Sequence, residues 1–187
     1  MTLIGQFRAS YLLCQSGDDL VIIDQHAAHE RMLFEEFSAA AASGKVLAQE
    51  LLFPAVVELD ARQAATLEGS AGLLAEAGFI AEPFGPRTAA VRALPPGTPE
   101  AEAAGLLRDA LDSLAEGAGT VLGERRRAVL ALLACKAAVK AGQVLGGAEA
   151  QALVSRLSAL GLPYCPHGRP IMRRISLSEM ARLFKRT

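Results

Sequence analysis

The first 42 residues carry the pattern that most restricts the fold, because two strand-like segments lead directly into a helical one. Residues 6–15 contain apolar residues that favour a strand, residues 16–19 (Ser-Gly-Asp-Asp) are turn formers, and residues 20–23 are wholly apolar. Apolar residues then recur at helical spacing over 27–42, where Ser43-Gly44 ends the run. The sequence therefore predicts an antiparallel hairpin followed at once by a helix.

The rest of the chain alternates between short strand-like and helix-like segments, which predicts an α+β fold with two lobes. Further strands are predicted at 49–59, 79–83, 88–94 and 171–175, and helices at 61–77, about 100–115, 124–141, 148–160 and 178–184. Every histidine and cysteine lies outside 49–120. We therefore predict a sheet-and-helix dimerisation lobe, built from 1–48 and 121–187, that carries the chemistry. An inserted smaller α/β regulatory lobe would occupy 49–120.

Composition limits the location and the partners of the chain. Hydrophobic residues make up 51% of the 187, but no apolar run reaches the ~20 residues of a membrane span, and the amino terminus lacks a secretory pattern. A cytoplasmic location without a membrane partner is expected. The formal net charge of −1 indicates only weak binding to DNA by the chain alone. Three cysteines in such a protein favour metal binding or burial over a disulfide framework.

The junction between the second strand and the helix places an aspartate, a histidine and a glutamate close together. His26 and Glu30 are four residues apart, so they share one face of the predicted helix, and Asp24 precedes them at the strand end. A carboxylate that faces inward needs a partner, and a cation shared with the imidazole would supply one. In the alternative interpretation, Asp24 caps the helix, Glu30 pairs with Arg31 or Lys45, and His26 is a hydrogen-bonded surface residue.

Two further segments offer soft metal ligands. Cys165 and His167 are two apart in an irregular segment, so they can face one centre, and Cys135 lies in the middle of a predicted helix. Each alone is more often structural. Together the candidate ligands are Asp24, His26, Glu30, Cys135, Cys165 and His167. Sulfur and imidazole suit Zn²⁺, whereas the carboxylates suit Mn²⁺ or Mg²⁺. A structural ion, an open catalytic site, two adjacent ions and, least favoured, a cysteine hydrolase built on Cys165 remain as alternatives.

Four short motifs resemble those of the MutL mismatch-repair proteins, in the same order. Asp24-Gln25-His26-Ala27 with Glu30 and Glu35 matches the endonuclease motif of that family, and residues 165–170 (CPHGRP) match a second motif in full. Residues 134–136 (ACK) resemble Ala-Cys-Arg with lysine in the last place, and residues 184–186 (FKR) fit a Phe-x-Arg ending. The chain resembles the carboxy-terminal dimerisation and endonuclease region of that family.

This resemblance implies a homodimer that nicks double-stranded DNA during mismatch repair, with Zn²⁺ and Mn²⁺ as cofactors and Mg²⁺ as a possible substitute. By motif matching, Asp24, His26 and Glu30 would be catalytic, and the six candidate ligands would surround the metal. The family also implies an ATPase domain elsewhere in the same protein, whose motif this sequence lacks, and association with the nucleoid during repair. The rival function is a non-catalytic, zinc-stabilised module for dimerisation and docking on the sliding clamp.

The segment Gln49-Glu50-Leu51-Leu52-Phe53 resembles the Gln-x-Leu-x-Phe motif that docks on the bacterial sliding clamp. Such peptides place the glutamine and two apolar side chains into a preformed groove. Gln49, Leu51 and Phe53 are therefore the predicted clamp-binding residues. The alternative is an ordinary strand that joins the lobes and buries its leucine and phenylalanine.

Overall fold

The computed structural model describes residues 1–117, 121–140 and 142–186, and it has the predicted α+β fold, with two antiparallel sheets. In chain order the elements are β1 (Thr2–Phe7), β2 (Tyr11–Ser16), β3 (Asp19–Asp24), α1 (Gln25–Ala42), β4 (Gln49–Glu58), α2 (Ala61–Glu76), β5 (Ile80–Gly85), β6 (Thr88–Leu94), α3 (Ala103–Glu116), α4 (Leu122–Ala137), α5 (Gly147–Leu160), β7 (Met172–Ile175) and α6 (Leu177–Leu183). A single 3₁₀ turn, Glu100–Glu102, precedes α3. No helix in these described ranges is long and apolar enough to span a membrane.

The described chain forms two compact units. The first unit contains Met1–Met32 and Ala138–Thr187, and the second contains Leu33–Ala137. The units differ in extent from the predicted lobes because Phe34, Phe37 and the apolar face of α4 pack into the core of the second unit. The roles predicted for the lobes, dimerisation and regulation, remain predictions.

The first unit is built on a four-stranded sheet of order β1-β2-β3-β7. Leu12 and Cys14 of β2 and Val21 and Ile23 of β3 are fully buried, so alternate residues of these strands face the core. The first turns of α1 and the apolar face of α5 complete this core. The alternation fixes the register of β2 against β3, because a slip by one residue would expose all four side chains.

The prediction of one strand over 6–15 was wrong, because a tight turn at Arg8 and Ala9 divides it into β1 and β2. Both residues have positive φ angles, 53° and 47°, and the Ser10 N–H donates to the Phe7 carbonyl at 3.1 Å. Such turns usually carry glycine or asparagine, and neither residue occurs at positions 8 and 9, so no local pattern indicates this turn.

The helix α1 follows β3 without a connecting loop. Oδ1 of Asp24 accepts a hydrogen bond from the Ala27 N–H at 3.0 Å, which makes Asp24 the N-cap of the helix. The Asp24 N–H donates to the Ile171 carbonyl at 2.9 Å. The helix start is thereby joined to the segment just after the CPHGRP motif.

The second unit contains a three-stranded sheet of order β4-β6-β5 and the helices α2, α3 and α4. Its core is formed largely by leucines and alanines of these helices together with Phe79. The connection from α2 to β5 requires glycine at position 78, where φ is +80° and an added Cβ would meet the Leu47 carbonyl oxygen at 1.8 Å. The helix predicted at 124–141 is shorter than expected, since α4 ends at Ala137.

Candidate metal centre

A buried carboxylate lies between two imidazole rings in the first unit. The Glu30 side chain is 2% exposed; its Oε1 lies 2.5 Å from Nδ1 of His167, and its Oε2 lies 3.5 Å from Nε2 of His26. An isolated buried carboxylate is costly, so this pair of partners accounts for its position. The structure thus brings His26, Glu30 and His167 together from α1 and from the CPHGRP motif.

A hydrogen bond to the backbone fixes the orientation of the His26 ring. Its Nδ1 lies 2.9 Å from the carbonyl oxygen of Val139, and since a carbonyl only accepts, Nδ1 must carry the hydrogen and donate it. In the neutral ring, Nε2 then presents a lone pair towards the Glu30 carboxylate. Two acceptors that face each other require either a proton or a cation between them. This is the usual arrangement of a histidine metal ligand, whose other ring nitrogen donates to a carbonyl or carboxylate.

The sequence analysis missed His29, which supports the same arrangement. The Val139 N–H donates to Nδ1 of His29 at 3.0 Å, so the backbone of Val139 is held by His29 through its N–H and by His26 through its carbonyl. His29 follows His26 by three residues and therefore lies on a neighbouring part of the same helix face. That spacing was visible in the sequence, but the partner, more than a hundred residues away, was not.

The CPHGRP motif forms a closed turn that presents its cysteine and histidine to Glu30. The Cys165 N–H donates to the Arg169 carbonyl at 2.9 Å, and the Gly168 N–H, from a residue with φ of +80°, donates to the Cys165 carbonyl at 2.9 Å. Cys165 is buried and His167 is exposed. Each of Glu30, Cys165 and His167 offers one donor atom, and these three atoms all lie within 4.8 Å of one another.

This donor set fits a transition-metal ion. Zinc forms bonds of about 2.0–2.3 Å to nitrogen, oxygen and sulfur, so donor atoms on opposite sides of one ion are separated by up to about twice that length. The three donor atoms lie within 4.8 Å of one another, close to this limit, so small side-chain movements would bring them onto one ion. Imidazole, thiolate and carboxylate are also the ligands that zinc prefers in proteins.

Of the remaining two predicted ligands, one belongs to the first unit and one to the second. Asp24 is half-buried and lies outside this donor group, where its Oδ1 caps α1 as the alternative interpretation expected. Cys135 is half-buried near the end of α4 and belongs to the second unit. Its neighbour Lys136 forms an ion pair with Asp109 at 2.6 Å, and this hydrogen bond raises the pKa of the Lys136 ammonium.

Comparison with known proteins assigns the family. Residues 4–145 match the family described as MutL C terminal dimerisation domain. The DNA mismatch repair protein MutL of Geobacter sulfurreducens is 41% identical over 188 residues, which cover 100% of this chain and 31% of that protein. The protein of the same name from Symbiobacterium thermophilum is 44% identical over 188 residues, covering 98% of this chain and 30% of its own length. The chain spans about a third of the length of these curated relatives. The chain belongs to the MutL C terminal dimerisation domain family.

Proposed function

We propose that this chain is the dimeric endonuclease region of a DNA mismatch-repair protein and that it nicks one strand of double-stranded DNA with the help of a divalent metal ion. The family and the names of the relatives support a role in mismatch repair. The observation that carries the catalytic part is the buried Glu30 carboxylate between His26 and His167, with the Cys165 thiol in reach of the same centre.

The proposed ligands divide by their chemistry. Cys165, His167 and Glu30 would hold Zn²⁺, and the motif match adds Cys135 and His26 to that set. Asp24 and Glu30 would also provide oxygen ligands for Mn²⁺, or for Mg²⁺ in its place. When bound, the metal would polarise the phosphodiester and lower the pKa of the attacking water.

The residues of the chain would supply positioning and proton transfer. Val139 fixes the His26 ring, so Nε2 of His26 keeps its lone pair directed at the centre. The bond from Ala27 holds the Asp24 carboxylate at the helix start, close in sequence to the first ligand. We assign to Asp24 the acceptance of a proton from the attacking water, because a carboxylate held in one orientation is ready to act as a general base.

The decisive experiment replaces Asp24 with asparagine. Asparagine caps helices about as well as aspartate does, so the Asp24→Asn variant should keep its melting temperature and its dimer. It should lose manganese-dependent nicking of supercoiled plasmid in the presence of the sliding clamp. Asp18→Asn, which alters an exposed turn residue, is the matched control and should nick like the unaltered chain. Full nicking by Asp24→Asn would remove the catalytic assignment.

We place the proposed dimer contact on the outer face of the first unit's sheet. Leu13 of β2 lies opposite Ile22 of β3, both are only half-buried in a single chain, and Ile4 of β1 is 62% exposed. An apolar sheet face of this kind is typical of an interface. Leu13→Glu should shift the dimer towards monomer in analytical ultracentrifugation. Val56→Glu, a change at a 60% exposed position in the second unit, should not.

The exposure of the clamp-like segment supports the proposed docking on a sliding clamp. Gln49 and Glu50 pair with β6, and pairing resumes only at Ala55, so the residues between them leave the regular ladder. Phe53 is 79% exposed, which an ordinary strand with a buried phenylalanine does not explain. Leu51 is half-buried against the core of the second unit and would have to turn outward when it binds.

A structural zinc site without catalysis is the second candidate. The use of the Asp24 carboxylate as a helix cap and the burial of Cys165 favour it, because both are ordinary features of a closed structural site. If this candidate is correct, removal of zinc with a chelator should unfold the first unit, while Asp24→Asn should not alter any residual nicking.

A further inference from the structure

A cavity of ≈340 Å³ in the first unit lies directly beside the candidate metal centre. Its walls are formed by Ser10, Tyr11, Asp24, Gln25, His26, Lys140 and Arg169. Two of these residues, Asp24 and His26, belong to the candidate catalytic set. The cavity therefore lies where a group bound next to the reacting phosphate would be held.

The two cations of this cavity are positioned by the same backbone that orders the metal ligands. Lys140 directly follows Val139, whose carbonyl accepts the hydrogen bond of His26. Arg169 closes the CPHGRP turn, since its carbonyl accepts the N–H of Cys165. Both side chains are exposed. A ligand that pairs with Lys140 and Arg169 would therefore be held in a defined position relative to the donor atoms of the centre.

The chemistry of the walls favours a phosphate group. Lysine and arginine outnumber the single carboxylate, and the Tyr11 hydroxyl adds a donor. The Ser10 hydroxyl already donates to the Arg8 carbonyl at 3.0 Å. The Gln25 amide is already committed: it accepts from Gln6 and donates to the Gln143 carbonyl, so it forms a wall of fixed shape. An arginine fork binds a phosphate through two parallel hydrogen bonds, and a lysine binds it as a point charge.

We propose that Lys140 and Arg169 form a positioning site for a backbone phosphate of duplex DNA adjacent to the phosphate that is hydrolysed. This inference rests on the proposed function. A chain with a formal net charge of −1 has little overall attraction for DNA, so contacts with local cations next to the centre would fix the position of the duplex. Phosphate contacts of this kind fix orientation without reading the base sequence.

The experiment measures duplex binding by fluorescence anisotropy over a range of salt concentrations, with the chain as purified and no added manganese. Lys140→Gln and Arg169→Gln should each lower the slope of log affinity against log salt by about one unit, as the loss of one phosphate contact predicts. Arg169→Lys should retain the slope while losing several-fold in affinity, because it keeps the charge and loses the fork. Zinc content and melting temperature serve as controls for folding.

Matched controls and opposing outcomes make the test specific. Lys45→Gln and Arg62→Gln remove exposed cations of the second unit and should leave the slope unchanged. The inference is overturned if the cavity variants behave like these controls, or if the unaltered chain fails to bind the duplex at the lowest salt. Displacement of the duplex by inorganic phosphate at constant ionic strength would identify a free-phosphate site and would also overturn it.

Nicking assays separate this inference from the proposed function. If the chain fails to nick but its salt slope depends on Lys140 and Arg169, the phosphate site stands and the endonuclease proposal fails. If the chain nicks and both variants nick and bind like the controls, the endonuclease proposal stands and the phosphate site fails.

Discussion

Nδ1 of His26 lies 2.9 Å from the carbonyl oxygen of Val139, a residue 113 positions further along the chain. The N–H of the same Val139 returns a hydrogen bond to His29. One backbone residue therefore connects two histidines of α1 with the segment after α4. Because Val139 is only 9% exposed, water offers it little replacement for either bond.

Replacing His29 with alanine should weaken the candidate metal centre without removing any of its ligands. The variant leaves the buried Val139 N–H unpaired, which costs about 1–3 kcal/mol in the free energy of unfolding. Zinc affinity should fall by about tenfold, at the lower end of the effect of residues that support metal ligands. Urea unfolding and competition with a chelator measure the two quantities. Recovery of zinc affinity in His29→Asn, whose side-chain oxygen accepts, is expected; equal affinities in His29→Ala and the unaltered chain would contradict the supporting role.

Replacing Glu30 with glutamine should reduce both zinc content and nicking. The change keeps the shape of the side chain but removes the negative charge that faces His26 and His167. Metal content by mass spectrometry and plasmid nicking give the readouts. Glu36→Gln, at an exposed position of the same helix, is the matched control and should retain both. Normal metal content in Glu30→Gln would exclude Glu30 as a ligand.

Replacing Gln49 and Phe53 together with alanine should abolish capture by the sliding clamp. Both side chains are exposed, so the double variant should keep its melting temperature. A pull-down with purified clamp measures binding. Glu50→Ala changes the exposed residue between motif positions and should bind normally. Undiminished capture by the double variant would remove the clamp-docking proposal.

Replacing Gly78 with alanine should destabilise the second unit by several kcal/mol. The new Cβ would meet backbone at Leu47 in a conformation that side chains rarely adopt. Gly72→Ala is the opposite case, because this helical position in α2 has open space and alanine favours helix by about 1 kcal/mol. Thermal unfolding should therefore show a lower melting temperature for Gly78→Ala and a higher one for Gly72→Ala. Equal melting temperatures would be inconsistent with the described α2–β5 connection.

Folding stability should decrease at alkaline pH, in part through Cys14. Burial raises the pKa of its thiol above the ordinary value of 9.0, so the folded protein keeps a proton that the unfolded chain releases. The free energy of unfolding therefore falls as pH rises through and above about 9. Urea unfolding from neutral to alkaline pH should show that the free energy of unfolding falls less with pH in Cys14→Ala than in the unaltered chain. Identical pH dependence in both would show that this thiol does not contribute.

The hydrophobic pattern predicted most of the helices and strands because it is local. Apolar spacing located α2, α3 and α5, and it placed His26 and Glu30 on one helix face. It failed at Arg8 and Ala9, where two ordinary residues adopt a left-handed conformation that the surrounding strands impose. No composition signal distinguishes such a turn from the interior of a strand.

The candidate centre was predicted in part for the same reason. The ligand types and the motifs pointed to Glu30, Cys165 and His167, which the fold brings together. The sequence could not show that Val139 orients His26, since that contact is made by backbone and carries no residue preference. Nor could it show that Phe34 and Phe37 belong to a different core from the residues one turn earlier in α1.

The cap formed by Asp24 has an evolutionary consequence. The same carboxylate begins α1 and, in the proposed mechanism, takes part in hydrolysis, so two selective pressures act on one codon. A lineage that abandoned DNA cleavage would still favour aspartate, asparagine, serine, threonine or glycine there, because most other residues leave the first turn of the helix without a cap. Persistence of aspartate at this place is therefore poor proof of activity, whereas its replacement by asparagine would mark a descendant that kept the architecture and discarded the reaction.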